Sequence, residues 1–187
     1  VLRQYSDERN TVCRDILHLI FHCVFQNICV PKDADLRIWN LACDIVAEYT
    51  VSELNLQAAS CQREQRQRKV YPELEEAAGM LTAEKIYRYY IKSRPDEERL
   101  SFLEGLFHAD DHGKWPRGRH VSSNDDTQPA SPLEIIWSGV SRRMQIDMET
   151  FARQQGSRAG AVMLNLKEVN REISDYAGFL RKFATKV

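Results

Sequence analysis

Apolar residues dominate the stretch from Arg14 to Phe25, and the polar positions in and around it are few and regularly spaced. Thr11, Asp15, His18, His22 and Gln26 follow at steps of four, three, four and four, which on a helix makes one narrow stripe. Ile16, Leu17, Leu19, Ile20, Phe21, Cys23, Val24 and Phe25 flank it, as expected of a largely buried helix. Ser6 or Asp7 is the expected N-cap, with Glu8 in the first turn, and Pro31 is expected to stop the helix at about Cys29. The stripe fits either the solvated face of an amphipathic helix or a polar seam opening onto a cleft. Its narrowness, and the lack of Lys and Glu through its middle, favour the cleft.

The same patterning predicts further helices. Asp35 caps one running from Leu36 to about Leu54, with Trp39, Ala42, Cys43, Val46 and Tyr49 on its apolar face and Asn40, Asp44 and Glu48 in a polar row. Residues 55–70 are rich in Gln and Arg and read as a solvated linker or helix end, without the interleaved aromatics of a nucleic-acid patch. A short helix follows at Pro72–Ala78. Thr82 caps another over Ala83–Ile91, with Ile86, Tyr89 and Tyr90 inward, and Pro95 opens one over Asp96–Phe107 that buries Leu100, Leu103, Leu106 and Phe107. His108 to Pro116 reads as a loop because of Gly113 and Pro116, and 117–131 as a flexible segment. Ser131 and Pro132 start a helix to about Gln155, with Ile135, Ile136, Val140, Met144, Met148 and Phe151 expected inward as core. A last helical stretch after Gly160 carries Leu164, Leu166 and Val169, and an amphipathic tail spans Tyr176–Phe183. The expected fold class is mainly α, with few or no strands.

Composition narrows the function classes. The chain has 187 residues, enough for one well-buried core, and a net charge of −1, which argues against a binder of nucleic acid held by phosphate contacts. The longest apolar run is far short of the roughly 20 residues that span a bilayer, and no signal-peptide pattern opens the chain. Five cysteines without a CxxC pair suit a reducing, cytoplasmic setting. The chain starts at Val1 rather than Met, as a piece of a longer protein would.

Two imidazoles four residues apart on one helical face can supply two ligands of a zinc site. If the polar rows of the first two helices meet, His18, His22 and Asp44 form a set of two nitrogens and one oxygen that leaves a further position open. Alternatively, Asn40 and Asp44 cap or pair with arginines such as Arg14 or Arg37. The loop Asp110-Asp111-His112-Gly113-Lys114-Trp115 is dense in metal-competent groups. It could close over a cleft, with His112 as a weaker candidate ligand, or form a surface turn.

Two motifs together, His18-Leu19-Ile20-Phe21-His22 and Trp39-Asn40-Leu41-Ala42-Cys43-Asp44, resemble the bacterial predicted metal-dependent peptidases that carry a VWA-like domain. In that family a zincin-type HExxH helix precedes a WNxAxD helix. Asp110-Asp111-His112 with Trp115, and the tail from Val169 to Phe183, resemble further motifs of a branch of it. The resemblance implies a zincin-like helical domain over residues 1–112, a flexible loop at 113–131, and a helical extension at 132–187 packing on the same domain and leading towards a VWA-like domain absent from this chain. It implies zinc bound by His18, His22 and Asp44, and companions of the MoxR-type AAA+ ATPase class.

One departure changes the expected activity. Leu19 stands where the family's general-base glutamate belongs, and a missing general base costs about 10²–10⁴-fold in rate. Glu48 and Asp111 are the available substitutes. Asn27 lies near the place of a further family histidine. The expectation is therefore a metallopeptidase-like domain impaired in catalysis, or alternatively a non-catalytic scaffold for a VWA domain or an AAA+ ATPase.

Overall fold

A computed structural model describes residues 2–28, 30, 34–115, 132–155 and 160–171. Among these residues the chain is helical and contains no strand. In order come α1 (Leu2–Val24), α2 (Leu36–Glu53), α3 (Gln62–Gln67), α4 (Tyr71–Ala78), α5 (Ala83–Ser93), α6 (Glu97–Phe107), α7 (Pro132–Gln155) and α8 (160–171). Single 3₁₀ turns lie at Gln57–Ala59 and His112–Lys114.

α2 is the central element. Asp35 caps it, accepting from the backbone N–H groups of Arg37 and Ile38, and most of its length is buried. Leu41, Ala42, Ile45, Val46 and Val51 pack with Phe21 and Val24 of α1, Leu74 of α4, Ile86 of α5, Leu103 and Phe107 of α6, and Leu166 of α8. Trp39 joins this core, and its indole N–H points to the Asn27 carbonyl at 3.4 Å. Thr82 caps α5 as expected. α6 is capped by Asp96, one residue after Pro95, whose fixed φ precedes the helix instead of opening it.

α1 differs from expectation at both ends. It is already helical at Leu2, so neither Ser6 nor Asp7 is its N-cap; Asp7 instead accepts from the Gln62 backbone N–H at 2.8 Å and ties α1 to α3. The helix ends at Val24, five residues before Cys29, because Gln26 takes the left-handed conformation (φ 54°) and the Asn27 N–H closes onto the His22 carbonyl. Proline was not needed to stop it.

Two further expectations are corrected. Residues 55–70 are not a solvated linker: Ala59, Cys61, Glu64 and Gln67 are buried, and Asn10 donates from α1 to the carbonyls of Gln57 and Ser60. On α7, Ile135, Ile136, Val140 and Phe151 are exposed rather than inward. The seam that α7 turns to the core is Trp137, Ser141, Met144 and Met148, and Asn170 of α8 bridges it through Ser141 and Gln145. The Arg117–Ser131 segment and the Tyr176–Phe183 tail lie outside the described residues. Among the described residues no helix is long and apolar enough to cross a membrane.

Candidate metal centre

The polar stripe of α1 is the buried face of that helix. His18 and His22 are essentially inaccessible, whereas Val12, Ile16, Leu19 and Ile20 are exposed. α2 lies across the stripe and brings Asp44 to both rings: its Oδ1 is 3.3 Å from His18 Nε2 and 3.2 Å from His22 Nε2. From the segment after α6, Asp110 and His112 complete the group. Asp110 Oδ1 is 3.4 Å from His18 Nε2 and 2.7 Å from His112 Nε2, which is itself 2.9 Å from Asp44 Oδ1. The donor atoms of His18, His22, Asp44, Asp110 and His112 all lie within 4.8 Å of one another.

This convergence is hard to satisfy by hydrogen bonds alone. Asp44 Oδ1, Asp110 Oδ1 and His112 Nε2 are buried without an aligned hydrogen-bond partner, despite their short separations. The Nε2 atoms of His18 and His22 face each other at 2.7 Å, so one lone pair meets the other unless a proton or a cation lies between them. Donors bound to one ion at about 2.0–2.2 Å stand roughly 3–4 Å apart, close to the spacings seen here. The cluster could hold a metal ion.

A second layer of residues fixes the rings. Glu48, one helical turn beyond Asp44, meets His18 Nδ1 at 3.0 Å. When that nitrogen carries the proton, Nε2 presents its lone pair to the centre. Glu48 is anchored in turn by the guanidinium of Arg14, whose remaining N–H groups reach the Glu48 carbonyl, Ser52 Oγ, Gln67 Oε1 and the Ala59 carbonyl, and by Arg63, which also pairs with Asp15. The Asn27 amide nitrogen lies 3.3 Å from His22 Nδ1 and donates to it, which in a neutral ring leaves the His22 proton on Nε2, between the two imidazoles. Trp115 lies against His112 with ring centroids 3.9 Å apart and planes tilted by 44°, and packs edge-on at 4.8 Å against His22, closing one side of the centre.

Charge follows this geometry. Burial pushes His18 towards neutrality, but Asp110, Asp44 and Glu48 outweigh it and hold its pKa well above the usual histidine value. His22 is lowered by burial and by the neighbouring His18 charge. His112 rises to about 9, because Asp110 and Asp44 outweigh its desolvation. Burial opposes ionisation of Asp44 and Asp110, yet the histidines hold both carboxyls well below the usual range. Glu48 is kept ionised against burial by His18, Arg14 and Arg63. Without an ion, the centre is a cage in which the carboxylates of Asp44 and Asp110 retain protons on His18 and His112.

The structure thus brings His18, His22, Asp44 and His112 together. Asp110 joins them, a residue that enters the sequence reading only as part of the loop motif, where Asp111 is named as a substitute base. Asp111 points elsewhere: it is exposed and accepts from the Gly113 N–H, capping the 3₁₀ turn. Glu48 is enclosed by arginines and bound to the far side of His18, away from the donor atoms, so it cannot serve as a base at the open side. His108 is mostly exposed, with Nδ1 4.0 Å from Asp44 Oδ2, and stands outside the cluster. The alternative pairing of Asp44 with Arg14 or Arg37 does not occur: Arg14 binds Glu48, and Arg37 binds Glu97 and Glu104. No protein-family model, curated protein or solved structure matches the chain.

Proposed function

We propose that the protein is a metal-binding, zincin-like helical domain that holds one divalent ion, zinc, between α1, α2 and the Asp110–His112 segment, and that it lacks the apparatus of a conventional metallopeptidase. The observation that carries this reading is the set of three buried polar atoms, Asp44 Oδ1, Asp110 Oδ1 and His112 Nε2, left without hydrogen bonds around two facing imidazole nitrogens. Histidine and carboxylate donors suit zinc, and the Glu48–His18 contact is the outer support that metal-binding histidines use. A bound zinc supplies Lewis acidity and lowers the pKa of water. The protein supplies no carboxylate at the usual position to take up that proton, since Leu19 occupies it with its side chain 47% exposed.

Elemental analysis by mass spectrometry of protein purified without added metal tests the reading. About one zinc per chain is expected, falling severalfold in His22→Ala and Asp44→Ala; wild-type protein without metal, or variants that retain it fully, would refute it. A broad peptide library separates the impaired domain from a working enzyme. Wild type and His22→Ala should cleave equally little, and cleavage abolished by His22→Ala would establish a peptidase.

A further inference from the structure

Two of the five donors, Asp44 and His112, line a cavity of about 530 Å³ between α2, α6 and the 112–114 turn. Asn40 and Leu41 form one wall, Glu104 and Gly105 of α6 the opposite one, and His108, Asp111 and Gly113 the rim. His18 and His22 are sealed against α1 and α2, and Trp115 covers the His112 and His22 rings. Asp44 Oδ1 is buried, unpartnered and directed at the donor cluster beside this space.

We infer that this cleft is where a second molecule reaches the ion, and that it selects a small ligand with a metal-binding carbonyl or hydroxamate group and a positively charged end. This rests on the metal reading above. The size suits a small ligand, since such sites run to about 300–1,000 Å³. The charge selection comes from the walls. Asp44, Glu104 and Asp111 contribute carboxylates, and the one arginine, Arg37, is already bound at 2.6–2.8 Å to Glu97 and Glu104. Carboxylates outnumber cations along these walls, with Arg37 shared between Glu97 and Glu104, so an entering anion is disfavoured relative to an ammonium group. Gly105 borders this space, and a Cβ added there meets no atom within 4 Å, so the position accepts a side chain at the wall of the cleft.

The test uses the full chain loaded with cobalt(II), whose visible bands report both metal binding and ligand arrival. Glycine hydroxamate, which carries an ammonium group, should shift the bands at lower concentration than acetohydroxamate. That preference should shrink at high salt. Gly105→Phe should keep the cobalt bands and weaken glycine hydroxamate by about tenfold or more, while Gly105→Ala should bind it like wild type. Asn40→Trp blocks the same space from α2 and should act in the same way. Equal binding in wild type and both blocked variants, or a preference for acetohydroxamate, would overturn the inference and leave the metal centre standing. Loss of the cobalt bands in both blocked variants would overturn it as well, showing these positions to be structural. Absence of bands in the wild type would instead remove the metal reading itself.

Discussion

His18 is bound on both ring nitrogens, to Glu48 on one side and to the donor cluster on the other. Replacing Glu48 by Gln keeps the shape but removes the charge that orients this ring. Metal affinity should fall by about 10–100-fold in a chelator-competition titration. Glu48→Ala goes further: it leaves the Arg14 guanidinium, 1% exposed, with only Glu64 Oε2 at 3.9 Å as a carboxylate, and should cost about 3–5 kcal/mol in denaturant unfolding. The imidazoles also set a pH dependence. His112 titrates at about 9 in the folded protein against about 6.5 when unfolded, and His18 is raised in the same direction. A raised folded pKa gives stability that is complete below pH 6.5 and lost as pH climbs towards 9. The melting temperature of metal-free protein should therefore fall between pH 6.5 and 9. An apo protein equally stable across that window would contradict the proton-retaining cage. At this scale the paired histidines and Asp44 were readable because helical spacing puts residues on one face. Asp110 was not, since in a loop no periodicity decides which of two adjacent aspartates turns inward. The capping bond from Gly113 to Asp111 decides it.

α1 shows how a helix can present its polar seam to the core and much of its apolar surface to solvent. Ile20 is exposed, whereas the adjacent Phe21 is buried among the residues packed on α2. Ile20→Gln should change stability by no more than about 0.5 kcal/mol. Phe21→Ala should cost about 3–5 kcal/mol. Equal effects in urea titrations would mean that α1 is rotated from the orientation described. The sequence pattern revealed the existence of α1, α2, α5, α6 and α7 and the caps at Asp35 and Thr82, because periodicity and capping are local. It favoured the inward polar stripe of α1 but put the wrong face of α7 inward, because apolar residues there occur on more than one face and the neighbour decides. Nor could it show that the Gln- and Arg-rich segment is structural. Arg63 and Gln67 are held by Glu48, Asp15, Arg14 and the Leu106 carbonyl, which are distant in the chain.

Across the whole molecule, the donors come from three places: residues 18 and 22, residue 44, and residues 110 and 112. An ion there binds only the folded arrangement. At a free concentration 100 times its dissociation constant it should add about 2.7 kcal/mol, or roughly 5–10 °C in melting temperature for a chain of this size. Differential scanning calorimetry before and after chelation measures this, and an unchanged melting temperature in metal-loaded protein would refute it. The three-part origin has one more consequence. Joining these donors would close loops of about 20 and about 65 residues, so a single ion bound there would act as a reversible cross-link between the two ends of the α1–α6 unit. The weakest link of that circuit is the short run from His108 to Trp115, whose backbone has only one 3₁₀ turn to hold it. If an ion there is what holds this run, removing it should loosen the run before the helices behind it, and a protease added to the chelated protein should make its first cut there.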